Sequence, residues 1–365
     1  MHTRNKLKLG IFAANCSSGR AVTTVPERWG ASWRENLTLA RDADDAGIDF
    51  LLPIGRWKGY NGDTDFQGTT FETVTWACGL LAATRRITIF GTVHSPLFHP
   101  VIAAKEFVTA DHISEGRFGL NVVPGWNEGE FEMFGATVRA HELRYDYTQE
   151  WLDVIKRAWT SDDDFDYVGT YFQLRGVRSK PKPWGGTRPI VMNAGASPRG
   201  RAFAIANADA YFTGATLDTL DGAAETVAAL RADARRAGRE IGVYTTGDIV
   251  CRPTRAEAED YFRYAAEQHV DWGAVDYMMR IREQPPPDDP AERERWRKRT
   301  TTRLSGFSMI GSPDDVAATL ARVSAAGFDG IAFSFINYLD EFRYFRAEVL
   351  PRLERLGIRE PANGR

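Results

Sequence analysis

Short, continuously apolar segments alternate along this chain with longer amphipathic ones. Eight of the short runs, at 7–14, 48–55, 87–94, 117–123, 189–194, 210–213, 242–251 and 330–336, have the length of strands. Runs apolar on consecutive positions are the pattern of parallel strands buried on both faces. Between them, apolar residues recur at helical spacing over 33–46 (WRENLTLARDADDA), 71–84, 99–113, 145–160, 199–206, 220–237 and 314–326, and a helix over 341–356 ends the series. Gly47, Gly116, Gly238 and Gly327 stand where helices should stop, and Ser312-Pro313 where one should start. Eight β/α units that each bury one helical face predict an α/β fold, a closed (β/α)8 TIM barrel, with 1–365 as a single domain. A doubly wound open sheet is the alternative. The units differ in sequence, so no internal repeat is read.

Three stretches break the rhythm and are expected as rim insertions, at about 125–143, 165–184 and 270–305. The second alternates like a hairpin before a Pro-rich connector. The third contains QPPPDDPAERERWRKR and reads either as a mobile lid or as a disordered loop.

Composition narrows the function classes. A net charge of −3, with 46 Lys and Arg scattered among 49 acids, offers no basic face for nucleic acid. No apolar run approaches the ~20 residues that cross a membrane. The opening MHTRNKLKLGIFAA carries basic residues before an apolar run, but that run is too short for most signal peptides and reads as the first strand, so a cytoplasmic location is expected. Three cysteines without a CxxC pair, and six histidines without HExxH or HxxxH, argue against disulfides and against a metal site.

In a (β/α)8 barrel the chemistry sits where strands end and helices begin. Asn193-Ala194-Gly195-Ala196-Ser197-Pro198-Arg199-Gly200 has the makings of an anion cradle: Gly195 allows close backbone approach, Ser197 can cap, and Pro198 suits the first helical position. An ordinary capped βα turn remains the other reading. Arg201-Ala202 stands where a P-loop needs Lys and Ser/Thr, and neither a GxGxxG nor a GxSxG occurs at a strand end. Arg144 and Tyr145 open a helix and could reach the same anion, or serve as a surface Arg and a core Tyr. Glu130 reads more readily as a solvent-facing acid than as a ligand. Asn121, polar inside an apolar strand, must find a hydrogen bond and is the stronger candidate. His94 and His99 near the third strand's end could donate to substrate or act as acid and base. Trp57, Phe98 and Trp126 could wall an aromatic pocket or simply pack.

Four segments carry a family resemblance: FLLPIGRWKGYNGDTDFQ, RRITIFGTVHSPLFHPVIAAKEFVTADHISEGRFGLNVVPGW, HELRYDYTQEWLDVIKRAW and PIVMNAGASPRGRAFAIANADAYF. The chain resembles the bacterial luciferase-like flavin monooxygenases, within them the pyrimidine and dimethyl sulfone monooxygenase group. The match resumes in GSPDDVAATLARV and YFRAEVLPRL and is weak over about 216–305. The resemblance implies an FMN site built from Ile54, Gly55, Arg56, Thr92, Asn121, Glu130, Arg144, Tyr145, Gly195, Ala196 and Ser197. It implies catalytic roles for Thr92 and Asn121 beside the flavin and O2, with His94 or Arg56 orienting or protonating substrate. It further implies reduced FMN supplied by a separate NAD(P)H-dependent flavin reductase, O2 as co-substrate, and a homo-oligomer, dimer or tetramer. Where the pyrimidine enzymes carry lysine and methionine, this chain has Arg56, as the sulfone enzymes do, and Ile54; His94, Phe98 and His99 also depart from that pattern. The expected substrate is a small N-heteroaromatic ring, such as a pyrimidine or pyridine, or a small organosulfur compound. A flavin- or deazaflavin-dependent hydride-transfer oxidoreductase on the same barrel and a non-catalytic flavin-binding protein are the alternatives.

Overall fold

The structure is a computed structural model and describes residues 1–214, 220–281, 289–294 and 307–361. Among these residues the strands are β1 (Lys8–Phe12), β2 (Phe50–Leu52), β3 (Thr88–His94), β4 (Phe118–Val123), β5 (Phe165–Val168), β6 (Gln173–Val177), β7 (Ile190–Asn193), β8 (Ala210–Phe212), β9 (Gly242–Cys251), β10 (Phe307–Gly311) and β11 (Gly330–Ser334). Parallel pairing runs β1–β2–β3–β4–β7–β8–β9–β11 and returns to β1, which closes an eight-stranded TIM barrel. All eight ring strands fall inside the runs expected from the sequence, and the open-sheet alternative is excluded.

Period-two alternation sorts the strand residues. Phe50, Leu52, Phe90, Met192, Ala210, Phe212, Tyr244 and Ala332 form one buried cluster that fills the barrel, while Leu9, Ile11, Leu51, Ile89, Val122 and Val191 belong to the larger core under the helices. Continued to the carboxyl ends of the strands, the inward parity selects Thr92 and His94 on β3, Asn121 on β4, Asp248 on β9 and Ser334 on β11. The mouth is therefore polar above an apolar plug.

The insertions hold structure that patterning only partly revealed. A short helix, Glu128–Met133, lies in the first, and β5 and β6 form an antiparallel hairpin in the second. In the third, Trp272–Ile281 is a helix rather than loop: Ala274, Val275, Met278 and Met279 pack on Val22, Tyr60 and Phe66. Their helical spacing was masked by the Pro-rich run that follows; 282–288 and 295–305 of this segment lie outside the described residues. β10 is also additional to the reading. Only Gly242–Tyr244 of the ten-residue β9 pairs with β8, and β10 covers the outer half, Gly247–Cys251. Among the described residues, no helix is long and apolar enough to cross a membrane.

Candidate active site at the barrel mouth

Thr92 and Asn121 face each other across the β3–β4 register. Thr92 Oγ1 donates to the Pro53 carbonyl at 2.6 Å and accepts from Asn121 Nδ2 at 3.1 Å, which fixes the amide. Asn121 Oδ1 is buried and has no partner. A buried amide oxygen left alone is costly, which marks a place that a ligand donor would fill. Ile54 is held on both backbone groups by Asn15, N–H to Oδ1 and C=O to Nδ2, each at 2.9 Å. Gly55 then lies against Thr92 and His94: a Cβ there would sit 3.2 Å from Thr92 Cγ2 and 3.4 Å from His94 Cε1.

Arg56 forms a 2.9 Å ion pair with Glu130, the two side chains only 8% and 2% exposed. The same Glu130 oxygen accepts from the backbone N–H of Trp57 at 2.9 Å and of Lys58 at 3.4 Å. Glu130 is thus buried, not solvent-facing as its surroundings in the sequence suggested, because its partners lie in the loop after β2. Arg56 stacks 4.4 Å over Tyr60 and 5.9 Å from Trp126, and its Nε is buried without a partner. Trp57 packs on Phe98 at 6.4 Å and edge-on to Phe134 at 5.0 Å. Two of the three expected aromatics, Trp57 and Phe98, are brought together, with Phe134 added; Trp126 is exposed and meets Arg56, which also stacks on Tyr60. Phe134 sat in an insertion that carried no periodic signal.

His94 is buried, and burial pushes its pKa down to about 4; Arg56 acts in the same direction and Glu130 opposes it. The imidazole is neutral at pH 7, with Nδ1 unpartnered. Between about pH 4 and 6.5 the folded protein binds fewer protons here than the unfolded chain, so this group makes stability fall as pH drops through that window. Urea unfolding at pH 7 and pH 4.5 should therefore show His94→Gln losing less stability on acidification than the parent, by up to about 2 kcal/mol. Superimposable pH profiles would refute the assignment. His99, by contrast, is exposed: its Nδ1 caps the helix Pro100–Ser114 by accepting from Val101 N–H at 3.3 Å. It is the capping residue of that helix.

The turn after β7 takes the capped form that both of its readings require. Ser197 caps the helix Pro198–Asn207, its Oγ accepting from Gly200 N–H at 3.1 Å, with Pro198 in the first turn. Asn193 Nδ2 donates to the Val122 carbonyl at 2.8 Å and its Oδ1 accepts from Gly195 N–H at 2.9 Å, so the cradle is tied to the strand that carries Asn121. Tyr145, in the first turn of the helix His141–Thr160, covers Gly195. A Cβ on Gly195 would lie 2.0 Å from Tyr145 Oη and 2.7 Å from Gly200 Cα. Arg199 joins the two helix starts through the Glu142 carbonyl and Asp146. Ala196 is exposed beside Ser197, and half-buried Arg144 holds the Arg139 carbonyl through Nε at 2.8 Å. Gly195→Ala should lower stability by about 1–3 kcal/mol through overpacking, read as the urea midpoint; an unchanged midpoint would show that Tyr145 yields freely.

Residues 7–330 match the model of the luciferase-like monooxygenases. The chain is 28% identical to the FMNH2-dependent dimethylsulfone monooxygenase of Pseudomonas fluorescens (strain Pf0-1), over 97% of this chain and 96% of that protein. It is 29% identical to the pyrimidine monooxygenase RutA of Cronobacter turicensis, over 94% and 92% of the two. Among solved structures, riboflavin lyase with modified FMN and substrate riboflavin superposes with a TM-score of 0.84 at 22% identity, covering 97% of this chain and 93% of that one, a likeness of fold. With a family model covering most of the barrel and both relatives aligned nearly end to end, the chain belongs to the luciferase-like monooxygenases, a family of flavin-dependent enzymes.

Proposed function

We propose that the protein is the oxygenase of a two-component system, taking reduced FMN from a separate NAD(P)H-dependent reductase and using O2 to oxygenate a small organic molecule. The observation that carries this reading is the Thr92–Asn121 pair, fixed at the mouth with the Asn121 oxygen unsatisfied, on strands tied directly to the Ser197 cradle. The residues present fit FMN. The positive end of the helix Pro198–Asn207, Ser197 and the Ala196 backbone suit its phosphate, with Tyr145 beside Gly195. Ile54, Gly55 and Arg56 would border the ring. Bound in reduced form, the flavin supplies the electrons that activate oxygen.

The protein's own part is placement. Thr92 locks the Asn121 amide so that one oxygen stays aimed at the mouth. Neutral His94 can give or take a hydrogen bond toward substrate but does not store a proton at pH 7. Glu130 sets the β2 loop, and through it Arg56 and Trp57. Trp57 packed on Phe98, with Trp126 at the solvent edge beside Arg56, offers aromatic surface that suits a flat ring. An N-heteroaromatic ring or a small organosulfur compound is the substrate class, and the active form is a homo-oligomer.

The test supplies the purified chain with FMN, NADH and a flavin reductase, and offers both compound classes. Product gaining one oxygen atom, with matching O2 uptake, is the expected result. Turnover that persists without O2 would favour hydride transfer, and flavin binding with no product from any compound would favour a carrier.

A further inference from the structure

The mouth holds a second polar group that these roles leave unused. Asp248 stands four residues after the interior Tyr244 on β9, so alternation turns it inward like Thr92 and Asn121. In register beside it on β11, Ser334 donates its hydroxyl to Asp248 Oδ1. Arg20, in the loop after β1, places Nε 3.7 Å from that same oxygen and stacks 4.9 Å over Phe12 at the end of β1.

Two buried acids of this chain use both carboxylate oxygens. Asp44 accepts from the backbone N–H groups of Arg85, Arg86 and Ile87, and Asp271 from those of Asp63, Thr64 and Ala274 together with the Thr64 hydroxyl. Asp248 does not. Its side chain is 9% exposed, and Oδ2 is enclosed without a hydrogen-bond partner. Burial pushes the carboxyl up to about 6, with Arg20 and Ser334 pulling it back, so it is mainly ionised above neutral pH. The cleft it borders is otherwise walled mostly by carbon, from Ala21, Val22, Val250, Phe262 and Ile336. An oxygen left unsatisfied in such surroundings is costly until a donor reaches it.

We propose that Asp248 is the specificity-determining residue of this mouth, accepting on Oδ2 a hydrogen bond from a substrate N–H, so that the enzyme takes N–H-bearing compounds such as ring lactams in preference to sulfones. A sulfone offers acceptors only; set against a carboxylate, it leaves two acceptors facing each other with no proton between them. A site built around a buried hydrogen-bonding group rejects a ligand lacking the partner far more strongly than an apolar site rejects a missing methylene. The inference rests on the oxygenase reading above, since it supplies that reading with its substrate class.

Calorimetric titration of the FMN-loaded protein at pH 8 tests it with matched probes. These are 2-pyridone with N-methyl-2-pyridone, uracil with 1,3-dimethyluracil, and dimethyl sulfone as the acceptor-only compound. At least one N–H probe should bind at least about 10-fold more tightly than its methylated partner and than the sulfone. Asp248→Ala and Asp248→Asn should erase that gap while leaving the FMN Kd within about twofold. The asparagine variant keeps the shape and guards against misfolding of the alanine variant. The inference is overturned if no N–H probe outbinds its partner, if the sulfone binds as well, or if the gap survives in Asp248→Asn. If FMN itself does not bind, the oxygenase reading falls as well; with FMN bound and no gap, only the inference falls.

Discussion

Asn121→Ala should lower kcat/KM for coupled oxygenation by about two orders of magnitude while the protein still binds FMN. The amide is the one group at the mouth that both contacts Thr92 and presents an unsatisfied oxygen. Removing it takes away a prepositioned acceptor for a ligand N–H or O–H, and losing one positioned hydrogen-bonding group at a reacting centre costs about 10²-fold in rate. Thr92→Ala should follow in the same direction, because the amide then loses its anchor; Thr92→Ser restores the hydroxyl and should recover most of the activity. O2 uptake measured against product reports the effect as falling coupling. Coupled turnover within threefold of the parent in Asn121→Ala would remove this amide from the mechanism.

The largest stability effect is expected at Glu130. Alanine there leaves the Arg56 guanidinium buried without its counter-charge and strips the Trp57 N–H of its acceptor. Breaking a buried pair from one side typically costs about 3–5 kcal/mol. Glu130→Gln keeps an acceptor for the backbone and should cost less. The same substitution frees the β2 loop, so Trp57 loses its fixed place against Phe98 and KM should rise along with the loss of stability. Urea unfolding of Glu130→Ala within 1 kcal/mol of the parent would show that water reaches the pair freely.

The barrel was legible because its strands are apolar on both faces, a signal that survives without knowledge of contacts. Asn121 was legible for the same reason: it is the one polar side chain in FGLNVV, so its burial demanded a partner. Asp248 obeys the same rule but sits in GVYTTGDIVC, where neighbouring threonines blur the contrast. Glu130 reads as solvent-facing because its burial depends on Arg56, 74 residues away, a contact that no local pattern encodes. His99 looked chemical on account of its residue type, whereas its position before Pro100 makes it a helix cap. The helix Trp272–Ile281 was lost among prolines that follow it, although its apolar residues keep helical spacing. What the chain's periodicity reveals is the scaffold and the isolated polar positions upon it; pairings across insertions wait for the fold.

A diffraction structure of the protein with FMN tests the account most directly. The phosphate should lie at the amino end of the helix Pro198–Asn207, within hydrogen-bonding distance of Ser197, and the ring should border Thr92 and Asn121. A flavin phosphate bound anywhere other than that helix end, or a ring turned away from Asn121, would contradict it.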